Sequence, residues 1–283
     1  MKTILVPTDF SRLSKVGITY AISLAKKMDA SVILLSVINA GASSNTLMNW
    51  KKLEEEMVNT AQQEADKFLG EIKSQGETVD ISYCSLLGFP IADMIDQFAV
   101  KNKVDLIVMG SKGAKGLKKA LLGSNATAVI DTSHVPLIVV PGEADFKQIK
   151  KLVYATDMQN LQKEIRVVAR FARLFDAHIH VLHVIQGESS KKSGKQVERD
   201  KFQISNEAAL VSETKYPKIH LHLLENKNIA DAVDTFVLDQ KADLLVMFTH
   251  RLDFFEKLFG KSVTRQLAFH SKVPMLTFNK TNY

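Results

Sequence analysis

The stretch MGSKGAKGLKKALLGSNAT, Met109 to Thr127, brings Gly110, Gly113 and Gly123 together with the hydroxyl of Ser124. Residues of these types can hold a phosphate. Glycine lets a ligand approach the backbone, a helix start offers unsatisfied N–H groups to an anion, and a hydroxyl adds a donor. Lys112, Lys115, Lys118 and Lys119 bring positive charge to the same stretch. The same glycines would also suit a plain turn before a helix, with Gly123 breaking that helix or packing it tightly, and alone they do not choose between the two. Asp9, in ILVPTDF, is open to a similar double reading. It could contact a ligand, cap the helix that follows, or satisfy the turn.

These residues gain meaning from the elements around them. Thr3 to Val6 is a short apolar run, and Ser11 to Met28 has helical periodicity, with Ile18, Ala21, Ile22 and Ala25 on one face and Ser11 as N-cap. SVILLSV (Ser31 to Val37) is an almost continuous apolar strand, which implies a sheet covered on both faces. A charged helix over Trp50 to Ile72, the strand VDISYC, a helix over Ile91 to Val100, the strand DLIVMG, a helix from about Leu117 to Asp131 and the strand PLIVV complete the series. Apolar strands alternating with helices predict a parallel sheet with right-handed crossovers. In such a sheet ligands collect at the carboxyl ends of the strands, where Asp9 and Gly110 both fall. A dinucleotide fingerprint does not apply, because its glycines follow the first strand and these follow the fourth.

The series occurs twice. IADMIDQFAVKNKVDLIVMGS (Ile91 to Ser111) aligns without gaps to IADAVDTFVLDQKADLLVMFT (Ile229 to Thr249), an offset of 138, while ILVPTDF aligns to LVYATDM at an offset of 148 and sets Asp9 on Asp157. The 283 residues therefore divide into domains at 1–143 and 149–283, joined near Gly142 to Lys150. The expected fold class is α/β, with two tandem, open, mostly parallel sheets flanked by helices in a Rossmann-like manner. Formal charge is +6, but the lysines are interleaved with acids and form no tract, so nucleic acid is not the expected partner. One cysteine, Cys84, allows no intrachain disulfide and reads as an apolar filler. No apolar stretch is long enough to span a membrane, MKTILVPTDF is not a signal peptide, and the expected location is the cytoplasm.

On these residues the chain resembles the universal stress proteins of the UspA superfamily, arranged in tandem. The spacing of Gly110, two residues, Gly113, nine residues and Gly123-Ser124 matches the motif of the family's nucleotide-binding members, and ILVPTDFS and PLIVV resemble its first and last strands. The resemblance implies adenine-nucleotide binding, as ATP with ADP or AMP as alternatives, in the first copy. Asp9 would bond the adenosine part, with Pro7 and Thr8 shaping the turn, and Val37 would meet the adenine through its backbone. Met109 would line the pocket, Gly110 and Gly113 would make room for ribose and phosphates, and Gly123, Ser124 and the Asn125 backbone would hold the phosphates. Asn125 stands where the family often has an apolar residue. Magnesium or manganese could accompany the phosphates, since no carboxylate cluster marks a metal site of the protein's own.

The family likeness further implies an intramolecular pseudo-dimer through the final strands, able to form a further homodimer, and a regulatory stress-response role with an unknown protein partner. A nucleotide-independent interaction or protective scaffold and a weak ATP hydrolase are the alternatives. No general base stands near the motif, so no catalytic residue is assigned.

The second copy reads as degenerate. Gly110, Gly113 and Gly123 become Phe248, Arg251 and Lys261, Pro7 becomes Ala155, and Ser124 is matched by Ser262. A phenyl ring and two long cations should fill the space that phosphates would occupy. FGKS (Phe259 to Ser262) is not a P-loop, because Phe255 replaces the required glycine. Phe254, Phe255 and Phe259 look like a packing stripe. GESSKKSGKQ reads as a polar loop. His178, His180 and His183, with His220 and His222, suit surface or packing positions, although zinc could use such imidazoles if the two strands were neighbours.

Overall fold

The computed structural model describes residues 2–39, 47–111, 123–144, 146, 148–187, 193–249 and 273–279. Two compact units are present, Met1–Phe146 and Lys147–Tyr283. The first runs β1 (Lys2–Pro7), α1 (Arg12–Met28), β2 (Ala30–Ile38), α2 (Leu47–Ser74), β3 (Ile81–Leu87), α3 (Ile91–Lys101), β4 (Leu106–Gly110), α4 (Ser124–Thr132) and β5 (Leu137–Val140). The second runs β6 (Lys151–Ala155), α5 (Leu161–Arg173), β7 (His178–Gln186), α6 (Ser193–Thr214), β8 (Ile219–Asn226), α7 (Ile229–Asp239), β9 (Leu244–Thr249) and β10 (Met275–Asn279).

All the pairings within each unit are parallel, in the orders β3-β2-β1-β4-β5 and β8-β7-β6-β9-β10. The two units are thus wired identically. Every residue of β4 and β5 is buried, as their unbroken apolar runs require of strands covered on both faces. In each unit the chain moves from the first strand to one side and returns to the other, so strand order reverses between β1 and β4 and again between β6 and β9. Crevices outside the carboxyl ends of strands open at such reversals.

Local chemistry sets the helix limits. Ser11 caps α1, its Oγ accepting from Ser14 N at 3.3 Å. At the other end Asp29 turns left-handed with φ 52°, and its N–H closes onto Ala25 O. The fourth helix begins later than the spacing predicts, at Ser124 in place of Leu117, and residues 112–122 lie outside the described residues. The expected polar loop GESSKKSGKQ is also shorter. Helix α6 starts at Ser193 and absorbs the end of that stretch.

Candidate functional site

In the first unit the strand ladder at the reversal point stops early. Among the described residues β1 and β4 pair only at Ile4–Leu106 and Leu5–Ile107, although both strands continue. Thr8 N donates to Leu35 O on β2 at 2.9 Å. Alternate residues of a strand face opposite neighbours, so the nitrogen of Pro7 faces β4, and it carries no hydrogen. The ladder ends where its next donor is missing. In the second unit Thr156 N makes the same bond to Leu182 O at 2.9 Å, Ala155 supplies an N–H toward β9, and pairing runs on through Tyr154–Val246 to Ala155–Met247.

Beyond Pro7 the chain makes a tight polar turn. Buried Thr8 accepts from Phe10 N through Oγ1 at 2.9 Å, its Oγ1 lies 3.0 Å from Ser14 Oγ, and its carbonyl accepts from Ser36 Oγ at 2.9 Å. Phe10 adopts φ 52° and packs its ring on Phe68 and Tyr83. Asp9 is exposed, and its Oδ1 accepts from Ser11 N at 3.1 Å. Of the two structural readings open to Asp9, satisfaction of the turn is the one realised, while Ser11 does the capping. The turn leaves the carboxylate at the carboxyl edge.

The glycine stretch is held at both ends. Ser111, 6% exposed, donates its N–H to Val140 O and accepts from Gly123 N through its carbonyl, both at 2.8 Å. This closure brings the end of β4 next to the start of α4. Gly123 is the N-cap of α4 with φ −61° and no side chain to bond the first N–H groups, and the first turn has no acid. Such a helix start attracts an anion. Gly110 itself is buried, and Gly17 of α1 presses on it: a Cβ on Gly17 would lie 2.8 Å from Gly110 N. The absent side chain at Gly17 is therefore needed for α1 to approach β4.

The structure brings Pro7, Thr8, Asp9, Gly110, Gly123, Ser124 and Asn125 to one carboxyl edge. Ser124 and Asn125 are exposed, which suits the polar amide of Asn125. Val37 lies near the end of β2, paired with Leu86, and Met109 is mostly buried at 7% exposure. Gly113 and Lys112, Lys115, Lys118 and Lys119 lie outside the described residues. Sequence reasoning passed over Ser14, Ser36, Gly17 and Ser111, which fix this edge. A glycine inside an otherwise regular helix was the one available signal, since it costs helix stability and calls for a packing reason.

The second unit repeats the turn on other supports. Met158 N donates to Thr156 Oγ1 at 3.0 Å, Gln159 N donates to Asp157 Oδ1 at 3.0 Å, and Met158 has φ 67°. His183 replaces Ser36, its Nδ1 lying 2.9 Å from Thr156 O. Tyr154, fully buried, donates its hydroxyl to the buried carboxylate of Glu164 and lies 3.1 Å from Thr156 Oγ1. Burial and the adjacent Glu164 carboxylate hold the Tyr154 phenol well above its usual range. Phe248, at the position of Gly110, is 1% exposed against Tyr154 and Phe278, at centroid distances of 5.8 and 4.9 Å. Arg251, Phe254, Phe255, Phe259, Lys261 and Ser262 lie outside the described residues. Among the described residues no three His, Cys, Asp or Glu side chains form a group able to hold a metal. Nor is any described helix long and apolar enough to cross a membrane.

The model of the universal stress protein family matches residues 1–141 and again 148–279. Universal stress protein MJ0531 of Methanocaldococcus jannaschii is 36% identical over 143 residues, covering 49% of this chain and 81% of that protein. Universal stress protein Slr1230 of Synechocystis is 26% identical over 302 residues, covering 98% of this chain and 100% of that one. In three dimensions the chain is similar to a universal stress protein from Archaeoglobus fulgidus, with a TM-score of 0.68 at 18% identity, covering 98% of this chain and 96% of that one. The two copies of one wiring, each matched over almost its full length, make this chain a tandem member of the universal stress protein family.

Proposed function

We propose that the first unit binds an adenine nucleotide, ATP or a close relative, and uses it as a regulatory ligand in a stress response. The observation that carries this reading is the closure of Ser111 O on Gly123 N, which sets an uncapped helix start beside the end of β4, at the reversal point that Pro7 leaves unzipped. The adenosine would lie toward Asp9 and the backbone of Val37, and the phosphates toward Gly113, Gly123, Ser124 and the N–H of Asn125. A magnesium or manganese ion would travel on the phosphates. Universal stress proteins similar to this one have been solved in complex with dAMP, at 19% identity, and with cAMP, at 22%. Those ligands belong to those proteins, and they fit the chemistry assigned to this edge.

The second unit would not share the ligand, because its ladder is zipped and Phe248 occupies the position of Gly110. Native mass spectrometry of the full chain with ATP tests both statements. One nucleotide per chain is expected, and none or two would overturn the reading. Gly123→Val serves as the control: φ −61° is open to any residue, so lost binding in a folded variant reports lost space.

A further inference from the structure

The amino end of the second sheet carries chemistry that nucleotide binding does not use. The parallel register of β7 and β8 sets His180 opposite His220 and Leu182 opposite His222. Alternate residues share a face, so His178, His180, His220 and His222 all lie on one side. They form a ladder with ring centroids 5.4, 5.3 and 5.2 Å apart, closed at its inner end by Phe236 of α7, 4.8 Å from His222. Elsewhere in the described residues histidines find oxygen: His134 meets the Asp96 carboxylate at 2.8 Å and His183 a carbonyl at 2.9 Å. These four meet each other. His178 Nδ1 is 3.1 Å from His220 Nε2, and His180 Nδ1 is 3.0 Å from His222 Nε2.

We propose that this imidazole ladder binds divalent transition-metal ions, one to each nitrogen pair. Metal–nitrogen bonds of about 2.0–2.1 Å close over nitrogens roughly 3.0 Å apart at an angle near ~95°, and over roughly 3.3 Å at the tetrahedral angle. The nitrogen separations of each pair already suit a shared metal, which replaces the shared proton once the rings turn to aim both lone pairs at it. Neutral imidazole is the ligating form. Burial, then neighbouring imidazoles and lysines, holds His178 and His180 below the ordinary imidazole range, His180 at about 4, while burial and His220 do the same for His222.

The surrounding charges select the ion. Lys151 and Lys218 stand near and disfavour a cation that imidazole binds weakly, although the Lys218 ammonium is paired with the Asp176 carboxylate at 2.6 Å and the Glu207 carboxylate favours positive charge at His222. Only a metal with strong nitrogen preference overcomes them. The order is copper above nickel and zinc, with magnesium and calcium excluded by their demand for oxygen. Among the described residues no third protein group joins either pair, so water completes the coordination and the ion exchanges freely. The pair His178 with His220 loads first, because His178 is the one exposed ring of the four.

Copper(II) titration of the nucleotide-free full chain at neutral pH, followed by electron paramagnetic resonance, tests the site. The first equivalent should show splitting from two imidazole nitrogens and bind at least tenfold more weakly in H178Q/H220Q, while H134Q leaves it unchanged. H180Q/H222Q should remove the second equivalent. The single variant H178Q touches only an exposed ring, so it keeps the test valid if a double variant fails to fold. Unchanged affinity and splitting in H178Q and H178Q/H220Q would overturn the proposal. So would a ladder that responds to pH alone and to no metal. Neither outcome bears on ATP binding.

Discussion

The carboxyl edges of the two units share a backbone and differ in what lies under it. Both make a threonine-aspartate turn with a left-handed third residue and a bond from the fourth N–H to the aspartate. In the first unit that turn stands beside a ladder stopped by Pro7, a glycine at the end of β4, and Gly17 of α1 pressed against it. In the second the ladder continues and Phe248, almost fully buried, takes the place of Gly110. Gly17 and Gly110 let α1 and β4 draw together, whereas in the second unit the Phe248 ring fills space against Tyr154 and Phe278. The aspartate turn is thus a property of the fold, whereas the shortened ladder belongs to one unit.

The difference can be probed by exchanging its parts. The largest effect is expected from Phe248→Ala, which should cost about 3–5 kcal/mol by leaving a cavity beside Tyr154 and Phe278. Urea unfolding of the second unit measures it, and a loss under about 1 kcal/mol would mean that the ring does not support that core. Next comes Gly17→Ala. Helix propensity favours alanine by about 1 kcal/mol, but the new Cβ meets backbone at 2.8 Å, so a net loss of about 1–3 kcal/mol is expected. A stabilised variant would show that α1 can retreat without cost.

A smaller effect should appear at Asp131 on α4, where the second copy has Phe269. Burial raises the Asp131 carboxyl to about 6, against 3.8 for the exposed group. The folded state holds the proton more tightly, so this contribution is complete below about pH 3.8 and is lost as pH rises through about 6. Asp131→Asn should therefore gain about 1–2 kcal/mol at pH 7, allowing for partial solvation, and nothing near pH 3.5. A gain of equal size at both values would point away from the carboxylate.

Pro7→Ala is the subtlest exchange. Restoring the N–H should extend the β1–β4 ladder, protect the new amide from hydrogen exchange, add at most about 1 kcal/mol and weaken ATP binding several-fold. An unprotected amide would show that the ladder stops for another reason.

Much of this was legible in the residues. Near-continuous apolar strands and the doubled IAD segment specify two covered parallel sheets, because burial on both faces leaves no other pattern for the strands. Asp9 and Gly110 could be placed at one edge from the ends of the strands alone. The direction of the Pro7 nitrogen could not, since it depends on which neighbour each alternate residue faces. The partner of Gly17 depends on a helix-to-strand distance that no local pattern encodes. The histidines were legible only conditionally: their alternation was visible, but their meeting required β7 and β8 to be adjacent and in one particular register.

The bond between Ser111 and Gly123 has a consequence for how such a protein changes over time. Its two anchors belong to the sheet and to α4, and the residues between them join points already in contact. Closing a segment between touching ends costs only about 0.6 kcal/mol more for each doubling of its length. Insertions, deletions and wholesale replacement there are thermodynamically inexpensive, and the strands never register them. Duplication followed by rewriting of that one segment would let a single scaffold diverge in ligand while its architecture stayed constant.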